Sequence, residues 1–343
     1  MTELKTTSII MVGPTRVGKT SMLAAMYNEL KQAAKRQTNS LAKYGLHMDA
    51  GPTQIKINDQ QETLEDLADG EGLVVNKDDN LEGNSELRNY DFFIKIENDY
   101  KIPLRFTDLP GGWYTGGAGA QQAAELLENS HVSLLAVDAV ALMEARGKYH
   151  SKINRTRFIE QVYDAASFKH EHEVILVLIR AETYVRNNQI TELKRRAKNA
   201  YSELAGILKN KETILENGEI RRGVNISGCY IETVGSLFFN SYKENPDGSV
   251  DAIFMRDRTI GYKPSLCEIP LRMAAKKGMQ HAVDDAVIEI EKSRGLWGWL
   301  IGTLGFETAL TRARAKHGKL YAVLQDLSSQ LNENDTFTIS PRT

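Results

Sequence analysis

The chain has 343 residues, more than one small core needs, so it is read as one elaborated domain or one domain with a sizeable addition. Its 43 basic and 45 acidic residues leave a net charge of -2, which removes any bulk electrostatic case for nucleic acid or an anionic membrane. Two widely separated cysteines, a polar N-terminal run and no apolar stretch near the roughly 18 residues of a spanning helix set the expectation of a soluble cytoplasmic protein.

The first informative stretch is "SIIMVGPTRVGKTSMLAAMYNEL". An apolar β-branched run, Thr7 to Val12, leads into Gly13-Pro14-Thr15-Arg16-Val17-Gly18-Lys19-Thr20, followed by a helical pattern over Ser21–Lys35. This is G-x-x-x-x-G-K-[ST] between a buried strand and a helix. Four residues between the glycines let the backbone wrap a phosphate with several N–H groups pointing inward. Lys19 supplies a positive charge for the β and γ phosphates, the Thr20 hydroxyl can ligate Mg²⁺, and the helix that starts at Ser21 turns its dipole toward the phosphates.

Residues 36–90 read as a long polar insertion with one short helix at "QETLEDLAD". Two alternating runs follow, Phe92–Glu97 and Ile102–Thr107, flanking a turn, which is a hairpin pattern. The second run ends in Asp108-Leu109-Pro110-Gly111. A carboxylate at a strand end can hold Mg²⁺ through water, and the D-x-x-G spacing adds the Gly111 N–H for a γ-phosphate.

The order strand, phosphate loop, helix, variable segment, hairpin, D-x-x-G resembles the Ras-like, translation-factor-related (TRAFAC) class of P-loop GTPases. It is most similar to the bacterial double-GTPase type, whose members often occur in conflict and signalling systems. The resemblance covers residues 7–235. It implies an α/β fold with GTP or GDP and Mg²⁺ as ligands, Thr20 and Asp108 on the metal side, and Gly13 to Ser21 around the phosphates. A role in phage defence is implied by the resemblance alone.

The resemblance also shows where this chain departs. A threonine of the first switch is expected before the hairpin, where Gly83-Asn84-Ser85 stands. A glutamine that orients the attacking water is expected after D-x-x-G, where Gly112 stands. Guanylate-binding proteins carry a phosphate-loop arginine that turns inward on dimerisation. Arg16 holds that place here, so Lys19, Arg16 and Gly111 are the expected catalytic set, with a nucleotide-dependent homodimer or a partner as the gate. The alternative for Arg16 is a solvent-facing loop arginine. The glycine-rich "GGWYTGGAGA" reads as the second switch, with Trp113 and Tyr114 open to a partner and a helix over Gln121–Glu128 behind it.

Further along, "HVSLLAVDAVALM" reads as a strand running into a loop, and "RTRFIEQVYDAAS" as a helix. The strand "VILVLI" ends in Ile179-Arg180-Ala181-Glu182, where a guanine reader is expected. Arg180 replaces a base-stacking lysine and Glu182 an aspartate that accepts two guanine N–H bonds, while Ile179 has no polar equivalent. A long helix is read over "NQITELKRRAKNAYSELAGILKNK", and strand Cys229–Glu232 leads to Thr233-Val234-Gly235, which resembles the loop that contacts guanine O6. The strands make a six-stranded, mostly parallel sheet flanked by helices.

Residues 236–267 read as an irregular excursion, 268–332 as a C-terminal helical region, and 333–343 as a polar tail. Residues 295–306 form an uncharged run with three readings: a buried inter-helix turn, a protein interface, or a peripheral membrane contact. The histidines are scattered without metal spacing. The sequence therefore predicts a slow GTP-hydrolysing switch whose output is a partner protein, coupled through the switches and the C-terminal helices. Its rivals are a nucleotide-sensing module with little turnover and an ATP-specific enzyme.

Overall fold

A computed structural model describes residues 2–3, 5–36, 46–48, 51–71, 73–75, 86–96, 100–115, 117–214, 220–246, 248, 250–292 and 334–340, with isolated positions between 318 and 331. The stretch 83–85, the run 295–306 and the closing helical pattern lie outside the described residues.

In chain order the strands are β1 (Thr2–Glu3), β2 (Thr7–Val12), β3 (Leu46–Met48), β4 (Val74–Val75), β5 (Arg88–Ile96), β6 (Tyr100–Asp108), β7 (Val132–Asp138), β8 (Glu173–Ile179), β9 (Glu212–Ile214), β10 (Ile220–Arg222), β11 (Asn225–Tyr230), β12 (Leu237–Glu244), β13 (Val250–Arg256) and β14 (Thr336–Thr338). The α-helices are α1 (Lys19–Arg36), α2 (Pro52–Asp69), α3 (Ala118–Glu128), α4 (Ala139–Met143), α5 (His150–Ile153), α6 (Thr156–Ala165), α7 (Glu182–Arg186), α8 (Ile190–Ala200), α9 (Ser202–Lys209) and α10 (Glu268–Lys292).

The main sheet runs β14-β11-β8-β7-β2-β6-β5-β3, with β1 also on β6. β11, β8, β7, β2 and β6 are parallel, as α-helical crossovers require, and β5 turns back on β6 in the expected hairpin. All seven residues of β7 are buried. Alternate residues serve opposite faces: Leu135, Val137, Leu176 and Leu178 face α3, α6, α8 and α9. Leu134, Ala136, Ile175 and Val177 face α1 and α10. A sheet covered on both faces has no polar alternation, which is why its strands read as continuous apolar runs.

Several expectations change. The sheet has nine strands instead of six, because three short segments join it by backbone pairing that leaves little side-chain pattern. The polar tail is one of them: β14 lies antiparallel on β11, with Phe337 opposite Gly228. The short helix in the insertion is the 18-residue α2, started by Pro52 and buried through Ile57, Leu64, Leu67 and Ala68. The long helix after Glu182 is broken at Tyr201, whose backbone leaves helical geometry. The irregular excursion is instead the antiparallel hairpin β12–β13, extended by β4 into a three-stranded sheet.

The histidines are not all scattered. At the strand ends opposite the phosphate loop, the ring of His131 lies 4.9 Å from His170 and 4.7 Å from His281. Buried His172 bonds Ser133 at 2.9 Å nearby, and burial pushes its pKa down to about 3. Among the described residues no group has metal-binding geometry, and no helix is long and apolar enough to cross a membrane.

Two predictions follow from packing and burial. A Cβ on Gly228 would lie 2.4 Å from the Phe337 ring. Gly228→Ala is therefore expected to lose about 1–3 kcal/mol in denaturant unfolding, most of it recovered in the Phe337→Ala background; additive losses would contradict the contact. The second concerns Glu29 of α1, which accepts N–H bonds from Leu266 and Glu268, each at 3.1 Å, at the start of α10. Burial, then the Glu268 charge, push its pKa from the ordinary 4.5 up to about 7. The folded chain holds this proton more tightly than the unfolded chain, so the contribution is full below 4.5 and lost as pH rises through 7. Measured against Glu29→Gln at each pH from 5 to 8.5, wild-type stability should fall by at most about 3 kcal/mol; a constant difference would contradict this.

Candidate functional site

The parallel pairing of β2 and β6 places Met11 opposite Asp108. That register brings the end of β6 to the first turn of α1, across 88 residues of sequence, and the Thr20 hydroxyl donates to Asp108 Oδ2 at 2.7 Å. Asp108 is fully buried, and Lys19 Nζ lies 3.8 Å from its other carboxylate oxygen. Lys19 folds back on the loop and donates to the carbonyls of Gly13 (2.9 Å) and Pro14 (3.3 Å). Burial pushes its pKa down and the Asp108 charge opposes that shift. Lysine, threonine and aspartate, far apart in sequence, thus form one contact set.

The loop itself is strained where a reactive group would be presented. Arg16 has φ 63, a left-handed value uncommon outside glycine, and its side chain is exposed. Val17 turns inward, 3% exposed, with its N–H on the Pro14 carbonyl at 3.4 Å; Ser21 is also buried. Gly111 presses directly on the loop: a Cβ there would sit 2.0 Å from the Thr15 nitrogen. Only glycine permits that approach, so the end of D-x-x-G is fitted to the phosphate loop by sterics. Beyond it, Gly111–Thr115 forms a 3₁₀ turn, and Trp113 packs against the core, where the sequence suggested an aromatic open to a partner.

The base-side residues are also brought together. Arg180, at φ 60, donates from Nη1 to Asp138 Oδ2 (2.8 Å) and from Nη2 to the Arg16 carbonyl (3.0 Å). Its guanidinium therefore ties the phosphate loop to the end of β7. Both terminal nitrogens are thus engaged by the protein at the residue given a base-stacking role from sequence. Glu182 is 2% exposed, which removes the reading of a solvated loop residue. Its Oε1 accepts the N–H groups of Val234 (3.0 Å) and Gly235 (3.4 Å). Burial raises its pKa, and those same N–H bonds pull against the rise. The carboxylate thus engages the loop that was expected to contact the base. Thr233 is buried beside it, with a hydroxyl that has no hydrogen-bond partner among the described residues.

Asp138 was missed by the sequence reading, although it stands at the end of an apolar strand, as Asp108 does. It caps α4 by accepting from Val140 (2.9 Å) and Ala141 (3.1 Å), and Asn154 bonds its backbone on both sides. Nothing in "LLAVDAVALM" marks the Asp138–Arg180 pair, which depends on β7 and β8 being neighbours.

The phosphate loop, Gly111, Asp138 and the base-side residues line one cavity of about 470 Å³, and the Lys19–Thr20–Asp108 set adjoins the loop without lining that cavity. One wall is the phosphate loop from Pro14 to Gly18 with Ser21, Ile179, Arg180, Glu182, Thr233 and Val234. The other wall is Leu64 and Leu67 of α2, Leu237 of β12 and Val250, Asp251, Ala252 and Phe254 of β13. A phosphate loop in contact with a buried lysine and a carboxylate–hydroxyl pair, beside a lining that adds Arg180, Glu182, Thr233 and the Phe254 ring, suits a ligand with a phosphate chain and a planar ring.

No protein-family model matches the sequence, and no curated protein matches it. Among solved structures, the chain is similar to the Ski7 GTPase-like domain of S. cerevisiae, described bound to GDP and inorganic phosphate and, in a second structure, to GTP. These are 16% and 15% identical, each with TM-score 0.34, covering 66% of this chain and 43% of theirs. The chain thus spans under half the length of those structures. It is also similar to a chain of the signal recognition particle receptor SRb-GTP/SRX complex from Chaetomium thermophilum, at 12% identity and TM-score 0.34, covering 68% of this chain and 93% of that one.

Proposed function

We propose that this protein binds GTP with Mg²⁺ in the cavity and hydrolyses it slowly as a molecular switch. The observation that carries the reading is the contact set of Thr20, Asp108 and Lys19 at the mouth of the phosphate loop. A buried carboxylate 2.7 Å from a hydroxyl offers the hard oxygen donors that Mg²⁺ takes, so the residues present fit the ion. Bound there, Mg²⁺ supplies charge neutralisation on the β and γ oxygens. Thr20 and Asp108 would hold it, directly and through water.

Lys19 exchanges the Gly13 and Pro14 carbonyls for phosphate oxygens, while the loop N–H groups and the start of α1 orient the chain. Gly111, fitted against Thr15, places its N–H beside the terminal phosphate. Gly112 carries no side chain to orient water, which supports a low rate. Arg16, exposed and held at positive φ, is the group on hand to reach a transferring phosphoryl when a second molecule or a partner covers the loop. The output is a partner protein that senses the nucleotide state through the insertion 36–90 and residues 111–120; a role in conflict systems rests on the resemblance alone.

A second reading, a nucleotide-holding module without guanine selectivity or much turnover, is favoured by one observation. Glu182 already satisfies its carboxylate on the Val234 and Gly235 N–H groups.

Multiple-turnover phosphate release separates the two. Wild type should release phosphate from GTP above buffer and faster than from ATP. Lys19→Ala should lose about a hundredfold or more. Arg16→Ala should bind nucleotide normally but lose the part of the rate that rises with protein concentration. No release above buffer from wild type would support the holding module and contradict hydrolysis.

A further inference from the structure

The second wall of the cavity belongs to none of the sequence motifs, yet it is firmly placed. Hairpin β12–β13 is anchored at three points around the cavity. At one end Arg256 enters the C-terminus of α2, donating to the carbonyls of Leu67 (2.6 Å) and Glu71 (3.0 Å). In the middle, the Phe239 N–H bonds Thr183 Oγ1 at 2.8 Å, on the helix that follows the base-side strand. At the far end Glu244 accepts from the Tyr149 hydroxyl at 2.6 Å and pairs with Lys148 at 3.3 Å, just before α5. The hairpin therefore crosses the cavity as a strap between α2 and α5.

Phe254 is the aromatic residue that this strap contributes to the cavity. Its ring lies 5.5 Å from the guanidinium carbon of Arg180, the residue directly after Ile179 of β8. Asp138 and the Arg16 carbonyl hold that guanidinium through its N–H groups, so its carbon stays over the ring. A guanidinium carbon over an aromatic ring, in a cavity that the phosphate loop also lines, marks a place where a flat heterocycle can enter between them. Van der Waals contact with both needs about 7 Å, so the gap opens by about 1.5 Å when filled. The buried Thr233 hydroxyl, which has no partner among the described residues, belongs to a residue lining the same cavity and is a polar group for the edge of that heterocycle.

We propose that Phe254 is the stacking residue for the base of the bound nucleotide, so that the hairpin Leu237–Arg256 determines affinity for the base while the phosphate loop determines affinity for the phosphates. This rests on the nucleotide reading above. The base edge and the base face are then read by different parts of the chain: the edge by loops at the sheet, the face by a strap from the smaller sheet.

The test is calorimetric titration of Mg·GTPγS and of Mg·tripolyphosphate, which has no base, into the full chain as wild type, Phe254→Leu and Phe254→Trp. Phe254→Leu keeps an apolar side chain but loses the flat face. It should weaken GTPγS about ten- to a hundredfold and leave tripolyphosphate within about twofold. Phe254→Trp should keep GTPγS affinity, and its added indole fluorescence should fall on adding GTPγS but not tripolyphosphate. Equal GTPγS binding by wild type and Phe254→Leu, or equal loss of both ligands in that variant, would overturn the proposal. If Phe254→Leu does not fold, the Trp variant decides, and an indole indifferent to GTPγS overturns it. A wild type that binds no GTPγS removes the nucleotide reading itself, an outcome separate from any effect of Phe254.

Discussion

The site depends on one register: Met11 of β2 opposite Asp108 of β6. It sets a buried carboxylate against the first turn of α1, and Thr20 and Lys19 then find it without further adjustment. A slip of one residue would turn Asp108 to the other face of the sheet and replace it with Thr107 or Leu109. The slip is opposed by the alternation itself, since Leu104 and Phe106 face one core while their neighbours face outward or to the other side. The apolar packing that stabilises the sheet is therefore also what aims the chemistry. The electrostatic cost of burying Asp108 is offset locally by a hydroxyl and an ammonium group.

The base side of the site follows the same logic with different parts. Arg180 is fixed by Asp138 and the Arg16 carbonyl, and Glu182 by two backbone N–H groups, so the strand-end loops of β2, β7, β8 and β11 are cross-linked to one another by polar contacts. Such a network is stiff only while all its members are satisfied. The smaller sheet adds a roof that joins α2, through Arg256, to the approach of α5, through Glu244.

The sequence made the phosphate-loop end legible because its chemistry is local. Gly13 to Thr20 and Asp108 to Gly111 each carry their meaning within a few residues, and the buried strands announce themselves as unbroken apolar runs. What stayed hidden is long-range. The Asp138–Arg180 pair needs two strands to be neighbours, and β14 reaches its place through backbone bonds and one aromatic, Phe337, in an otherwise polar tail. The hairpin β12–β13 looked irregular because its residues are mostly half-buried and mixed, packed between the cavity and the edge of the core. Gly228 gave no sign in the sequence that it faces an aromatic ring. The histidines around His131 come from three segments that meet only once the sheet and α10 are assembled.

The central claim is that these two ends form one site for a guanine nucleotide. Its most direct test is calorimetric titration of GDP, GTPγS and ATPγS, each with Mg²⁺, into wild type and Glu182→Ala. The account predicts binding of the guanine nucleotides in preference to ATPγS, and loss of that preference, with phosphate-dependent affinity retained, when Glu182 is removed. Equal or tighter binding of ATPγS by the wild type would contradict it, and would show that Glu182 serves only to hold the Thr233–Gly235 loop.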